Sequence, residues 1–388
     1  MPIVTNGLMP RPHSEFVLRL AVAYGGLFGA IGIQLPFLPV WLAAKGLDEA
    51  SIGSVLAVAV ATRVAVMPFG ARAADRFGSL KGAIVVAASL CALCLSLLGL
   101  ASGAPAIFLC YAAAAAAGGT VLPLIEAYAL RGLHERGLPY GPVRLWGSAA
   151  FILGTLATGL LAAWIAPVNI IWILVATYWL AAVSALRLQP VASAAAPDLR
   201  PARVGLLLKN RTLLMVIGAS ACMQGSHGML YIVGTLQWSA AGLSGLWIAW
   251  LWTFGVVAEI LLFAASARFP AWLGAAALLA IGAAGAILRW GIMALDPPTA
   301  LLPFLQCLHA LSFGATHLGA VGFVARAAPP GLHATAQGLL ATANGGMMAA
   351  SMAISGLLQT RYGVSAYAAM ALMAATGGAL ALLVRTRN

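Results

Sequence analysis

Apolar residues run in long stretches along this chain, cut at intervals by short clusters of charge, proline and glycine. A helix that crosses about 30 Å of hydrocarbon needs roughly 20 predominantly apolar residues, and stretches of that length recur from near the N-terminus to the end. The pattern predicts spans over residues 16–42, 52–71, 82–100, 104–130, 143–165, 169–186, 211–236, 244–265, 271–294, 300–325, 335–358 and 365–384. That is an all-α integral membrane fold of twelve transmembrane helices. The turn at 167–169 is the thinnest division, and without it eleven spans would put the termini on opposite sides. The longest polar connection, 188–208, carries Pro190, Pro197, Asp198 and Pro201. It separates an N-terminal six-helix bundle, 1–187, from a C-terminal one, 209–388. The first span is predicted to be interrupted around Gln34, Pro36 and Pro39, and the seventh around Gln224, Gly225, His227 and Gly228. Broken helices at corresponding places in two halves point to a mid-membrane binding site, with Gln34, Gln224 and His227 as its polar groups.

Composition agrees with the pattern: 62% of residues are hydrophobic and 8% charged, against about 45–50% and about 25% in soluble domains. The formal net charge of +12 follows topology. With both termini cytoplasmic, sixteen of the 21 Lys and Arg fall in inside regions and two, Lys45 and Arg361, in outside loops. This is the asymmetry of the positive-inside rule. The excess is therefore no nucleic-acid footprint. The expected partners are the lipid bilayer, a small-molecule substrate and protons, for a monomer that crosses the bacterial cytoplasmic (inner) membrane many times. Cys91, Cys94, Cys110, Cys222 and Cys307 lie in apolar stretches without metal-ligand spacing, so neither a metal site nor a disulfide framework is expected. The first residues lack the pattern of a cleaved signal peptide. No nucleophile–base constellation and no phosphate-cradling loop is visible, so neither an enzyme nor an ATP-driven pump is expected. The proton gradient stands where a cofactor would.

An ionisable side chain at the bilayer centre costs about 2.5–3.5 kcal/mol on insertion scales, so each one is a functional candidate. At about 1.5 Å of rise per residue, Glu259 and His317 lie about 13 Å from the cytoplasmic ends of the eighth and tenth spans. Arg289, His309 and His227 lie nearer the outer ends. Two layers are expected, Glu259 with His317 inside and the other three outside. Burial and a neighbouring Arg or His act in opposite directions on a carboxyl's proton affinity. Glu259 is thus the candidate coupling group, helped by His317 and tuned by Arg289; the alternative is a charge pair that only fixes packing. Arg63, about 13 Å deep in the second span, either binds an anionic substrate or pairs with Glu126. Glu126 and Arg144 flank a short loop and either face each other or snorkel to the interface. Tyr24, Tyr128, Tyr231, Trp146, Trp250 and Trp252 are candidates for lining an apolar pocket.

The stretch Gly70-Ala-Arg-Ala-Ala-Asp75-Arg76-Phe-Gly78-Ser-Leu-Lys81 resembles the G-x-x-x-D-R-x-G-x-x-K/R loop of the major facilitator superfamily. Asp75-Arg76-Phe77-Gly78 is echoed weakly by Ala267-Arg268-Phe269-Pro270 after the eighth span. Within the superfamily, Pro36-Phe-Leu-Pro39-Val-Trp41, Arg144-Leu-Trp146-Gly147-Ser148, Gly255-Val-Val-Ala-Glu259 and Leu308-His309-Ala310 are similar to segments of the phenylpropionate permease group, relatives of lactose permease. The resemblance implies two six-helix halves that rock about a central site. It further implies gating by Gly70, Asp75, Arg76, Gly78 and Lys81, and substrate binding by Glu126 and Arg144, which match the places of lactose permease's acidic residue and arginine. The chain departs from that permease in the tenth span, where no acidic residue follows His317. The implied activity is proton-coupled symport of a small aromatic carboxylate such as 3-phenylpropionate. A sugar or nucleoside symporter and a drug:proton antiporter are the alternatives. The candidate substrate groups are Gln34, Arg63, Glu126, Arg144, Gln224 and His227, and the candidate coupling groups are Glu126, Glu259, Arg289, His309 and His317.

Overall fold

The computed structural model describes residues 11–77, 79–191, 204–270, 272–329 and 331–385. Twelve membrane helices are present among the described residues, in the predicted order. They are α1 Arg11–Ala44, α2 Glu49–Phe77, α3 Leu80–Leu100, α4 Ala104–His134, α5 Tyr140–Leu161 and α6 Ile170–Leu186, then α7 Arg211–Ala240, α8 Gly245–Ser266, α9 Ala275–Met293, α10 Thr299–Ala327, α11 His333–Tyr362 and α12 Tyr367–Arg385. The last two belong to one helical stretch of 52 residues, which at about 1.5 Å per residue is far longer than a bilayer is thick. It folds back at Gly363, whose φ of 56° a glycine adopts without Cβ strain. The thin division at 167–169 is a single 3-10 turn, Pro167–Asn169, between α5 and α6. Polar side chains close several helix starts: Asp48, Ser79, Asn210 and Ser244 each accept from the backbone N–H three residues on.

Much of the connection at 188–208 lies outside the described residues, as do residues 1–10 and Gly78. A short helix, Val204–Lys209, leads into α7. Gly70, Asp75 and Arg76 fall in the last turns of α2, and Lys81 in the first turn of α3.

The helices form two six-helix halves with one packing scheme. In the first, α1 packs on α5 and α6, α4 on α2 and α3, and α3 on α6. Adding six to each label gives the second half: α7 on α11 and α12, α10 on α8 and α9, and α9 on α12. The halves meet along α2 with α11 and α5 with α8.

Both seams are closely packed near one face. Even spans put both described chain ends on one face, here called the terminal face. Near the opposite face, a Cβ at Gly53 would stand 2.7 Å from the Met352 carbonyl oxygen, and one at Gly356 2.9 Å from Ala50 Cα. At the other seam a Cβ at Gly245 would stand 2.7 Å from the Gly159 carbonyl oxygen. Further along the first seam the contact of α2 with α11 continues, and a Cβ at Gly345 would press on Val64.

One expectation fails. The first span is not interrupted, and α1 is helical through Pro36 and Pro39. Pro36 has no N–H for the Gly32 carbonyl four residues back. Thr155 on α5 donates its hydroxyl to that carbonyl at 2.7 Å and closes the gap. The seventh span is interrupted as expected. Regular helix stops at Gly225, a turn covers Ser226 and His227, and a π segment follows over Leu230–Gly234. Gly225 and Gly228 admit α11 there, where a Cβ would press on Met347 and Ser351.

Candidate functional site

In the first half, Glu126 on α4 collects three donors. Arg144 Nε on α5 lies 3.3 Å from its Oε1, and the hydroxyls of Tyr24 and Tyr140 both donate to its Oε2. The Arg144 guanidinium also lies 4.2 Å over the Phe28 ring. Glu126 and Arg144 therefore face each other. Arg63 pairs with neither: Glu126 is filled by Arg144 and two phenols.

About 15 Å further along α1, Gln34 joins two tyrosines. Tyr178 on α6 donates to Gln34 Oε1 at 3.2 Å, and Gln34 Nε2 donates to the Tyr111 oxygen on α4 at 2.6 Å. Neither tyrosine was legible as a site residue, because aromatic residues in membrane helices usually pack.

In the second half, Arg289 on α9 is fully buried and donates three ways. Its guanidinium reaches Gln306 Oε1 at 2.5 Å, Ser312 Oγ at 3.3 Å and His309 Nδ1 at 3.3 Å. Arginine only donates, so His309 accepts at Nδ1 and carries its hydrogen on Nε2. That nitrogen lies 3.3 Å from Glu259 Oε2. A chain of polar contacts thus runs from Arg289 through a neutral imidazole to the carboxylate. His227 is fixed the same way. Its Nδ1 faces the carbonyls of Met223 and Gln224 at 3.2 and 3.1 Å and must donate, so Nε2 accepts from Ser312 at 3.0 Å.

The expected two layers are corrected here. Glu259 interacts with His317 as expected, but His309, expected in the outer layer, also comes within 3.3 Å of Glu259 Oε2. A helical side chain tilts toward the N-terminus of its helix, which carries the Glu259 carboxylate up α8 toward the level of His309. Gly255, one turn away, lets the helices close: a Cβ there would lie 3.2 Å from His309 Cβ. His317 continues the stripe, stacked on Phe313, itself stacked on His309. The π segment Ala310–Ala315 lies between the two histidines. Gln306, His309, Phe313 and His317 recur at helical spacing, a signal that would have found Gln306 as well.

Removing Gln306 by Gln306→Leu strands part of a buried guanidinium whose Nε already lacks a partner among the described residues. Stability is expected to fall by about 1–3 kcal/mol, measured by thermal unfolding in detergent beside a Leu18→Ala control on an exposed position.

Two chambers adjoin these groups. A central one of about 380 Å³ lies between the halves, lined by Leu38, Val60, Phe313, His317, Asn344 and Met348 among others. A side chamber of about 180 Å³ lies within the first half, against Cys91, Tyr178 and the small residues Ala114, Ala115 and Gly118. Gln34, Leu35, Arg63, Met67 and Tyr111 belong to both walls. Gln224 and Tyr231 reach the central chamber. Trp252 borders a smaller void with Arg289 and His309, while Trp146 and Trp250 are exposed and line none of these spaces. Tyr128 donates to the Gln189 carbonyl. Among the described residues no cluster of His, Cys, Asp and Glu has metal-binding geometry.

Two matching six-helix halves around a central cavity define a major facilitator transporter. The MFS_1-like family model matches residues 17–368, and the chain belongs to that family. It is 29% identical over 365 residues to a probable 3-phenylpropionic acid transporter of Escherichia coli (strain K12), covering 92% of this chain and 94% of that one. It is 28% identical over 324 residues to a maltose permease of Geobacillus stearothermophilus, 83% of this chain and 82% of that one. The crystal structure of the nucleoside transporter NupG superposes with a TM-score of 0.82 at 20% identity, over 96% of this chain and 98% of that one.

Proposed function

We propose that this transporter is a proton-coupled symporter that moves a small aromatic carboxylate, such as 3-phenylpropionate, by alternating access. The observation that carries the coupling is the chain of contacts from Arg289 through His309 to Glu259, with Arg289 and His309 bordering the smaller void. A carboxylate that faces a fixed cation through one imidazole is a group whose proton can come and go while the cation stays. The apolar lining of the central chamber and the similarity to a probable 3-phenylpropionic acid transporter support the substrate class. The charge asymmetry supports a terminal face in the cytoplasm of a bacterium; in this proposal the chain acts singly in the inner membrane.

A second reading is a nucleoside carrier, favoured by the likeness to NupG and by the Tyr24–Glu126–Tyr140 cluster, which suits hydroxyls. Purified protein in liposomes with an imposed inward proton gradient separates the two. Gradient-driven accumulation of labelled 3-phenylpropionate, competed by the unlabelled acid and untouched by uridine, is the expected result. Accumulation of uridine alone would move the assignment to nucleosides. Uptake of the acid indifferent to the gradient would remove the proton.

A further inference from the structure

Three arginines lie within the membrane helices of this protein, and two of them have polar side-chain partners. Arg144 is paired with Glu126, and Arg289 is held by Gln306, Ser312 and His309, with Glu259 beyond. Arg63 makes no ion pair among the described residues. It stands in the wall shared by the two chambers, on a helix turn pressed against α4: a Cβ at Gly119 would lie 2.7 Å from Arg63 Cγ and 3.1 Å from its Cα. Arg63 is exposed, so its guanidinium is open to an anion that enters the chambers.

Beside it is a second donor without an acceptor. In the chain Tyr178 to Gln34 to Tyr111, the Tyr111 oxygen accepts the last bond, so its own hydrogen is unspent, and no acceptor for it is present among the described residues. Tyr178 also faces the Cys91 thiol, so among the described residues Tyr111 is the phenol of the pair without a second partner. A cation and a phenol O–H at one wall of an apolar cavity make a two-donor anion site.

We propose that the carboxylate of the transported acid is held by Arg63 and Tyr111 in the wall common to both chambers, with Gln34 and Tyr178 orienting the phenol. This rests on the reading that the cargo is a small organic acid. Arg144 is the weaker anchor, since a carboxylate arriving there meets Glu126 already in place. The hydrocarbon body then lies along Leu38, Val60 and Met348. Gly119 is a positioning residue, since its missing side chain leaves room for the Arg63 stem.

The test is equilibrium binding to purified protein of 3-phenylpropionate, its neutral amide, hexanoate and uridine, with wild type, Arg63→Gln, Arg63→Lys and Tyr111→Phe. The expected preference for acid over amide falls about tenfold or more in Arg63→Gln, the scale of a charge-assisted contact. Arg63→Lys restores part of it, and Tyr111→Phe lowers it several-fold; thermal melting checks that each variant is folded. If Arg63→Gln keeps the full preference, the anchor is wrong and the aromatic-acid reading stands. If wild type binds hexanoate in an Arg63-dependent way but not 3-phenylpropionate, the anchor stands and the aromatic reading falls. Binding of uridine and of neither acid overturns both.

Discussion

Replacing Glu259 with Gln is expected to abolish uptake of 3-phenylpropionate against its gradient, bringing it down to passive entry, while exchange of internal for external substrate continues. The amide keeps the size of the carboxyl and an oxygen that accepts from His309 Nε2, so the 3.3 Å contact and the packing of α8 on α10 survive. What is lost is the only carboxylate at the end of the Arg289–His309 chain, and with it a group that changes charge. Exchange needs the halves to rock with substrate bound and needs no net proton movement; accumulation needs both. Parallel measurements of gradient-driven uptake and of counterflow therefore isolate the coupling step. Retained accumulation in Glu259→Gln would assign the proton elsewhere, with Glu126 the next group to test.

Gly356→Leu is expected to reduce transport to near background by a different route. The Cβ of any residue at 356 meets the Glu49 carbonyl and stands 2.9 Å from Ala50 Cα, both backbone atoms that no rotamer change can move aside. A leucine adds a branched side chain in the same place and wedges α2 from α11 at the opposite face. Interiors packed this closely have no slack to absorb it. The seam must part, and the equilibrium shifts toward a state open at that face. A cysteine placed at Leu56, in the wall of the central chamber, reports the change. In intact cells it should react with a membrane-impermeant thiol reagent much faster in the Gly356→Leu background than alone. Unchanged labelling with lost transport would mean the wedge disrupts the fold instead of its state.

The number and order of helices were legible because hydrophobic length is set by the bilayer and survives any detail of packing. The six-helix offset between the halves was only hinted at by the Arg-Phe echo after α2 and α8, since related packing needs similar volumes at crossings and little identity. Glu126 and Arg144 were legible as neighbours because a short loop leaves two helix ends few other arrangements. Glu259 and His309 were not, because rise per residue locates Cα atoms and ignores where a glutamate's three bonds carry its oxygens. Tyr111 and Tyr178 were hidden for another reason. Only the third dimension brings α1, α4 and α6 to one point, and a tyrosine that orients an amide has the same sequence context as one that fills space. The π segments in α7 and α10 leave no mark in composition at all.

The hydroxyl that Thr155 lends to the Gly32 carbonyl bears on how the protein is made. The first helix enters the membrane long before the fifth has been synthesised, and in hydrocarbon an unmet carbonyl is costly. Until α5 arrives, α1 is an unfinished helix whose proline-bearing end has to stay near water or bend. Completion of the first span then waits on the fifth. The earliest part of the chain to be inserted is among the last to reach its final shape, and the α1–α5 contact is a step in biogenesis as well as a feature of the finished fold.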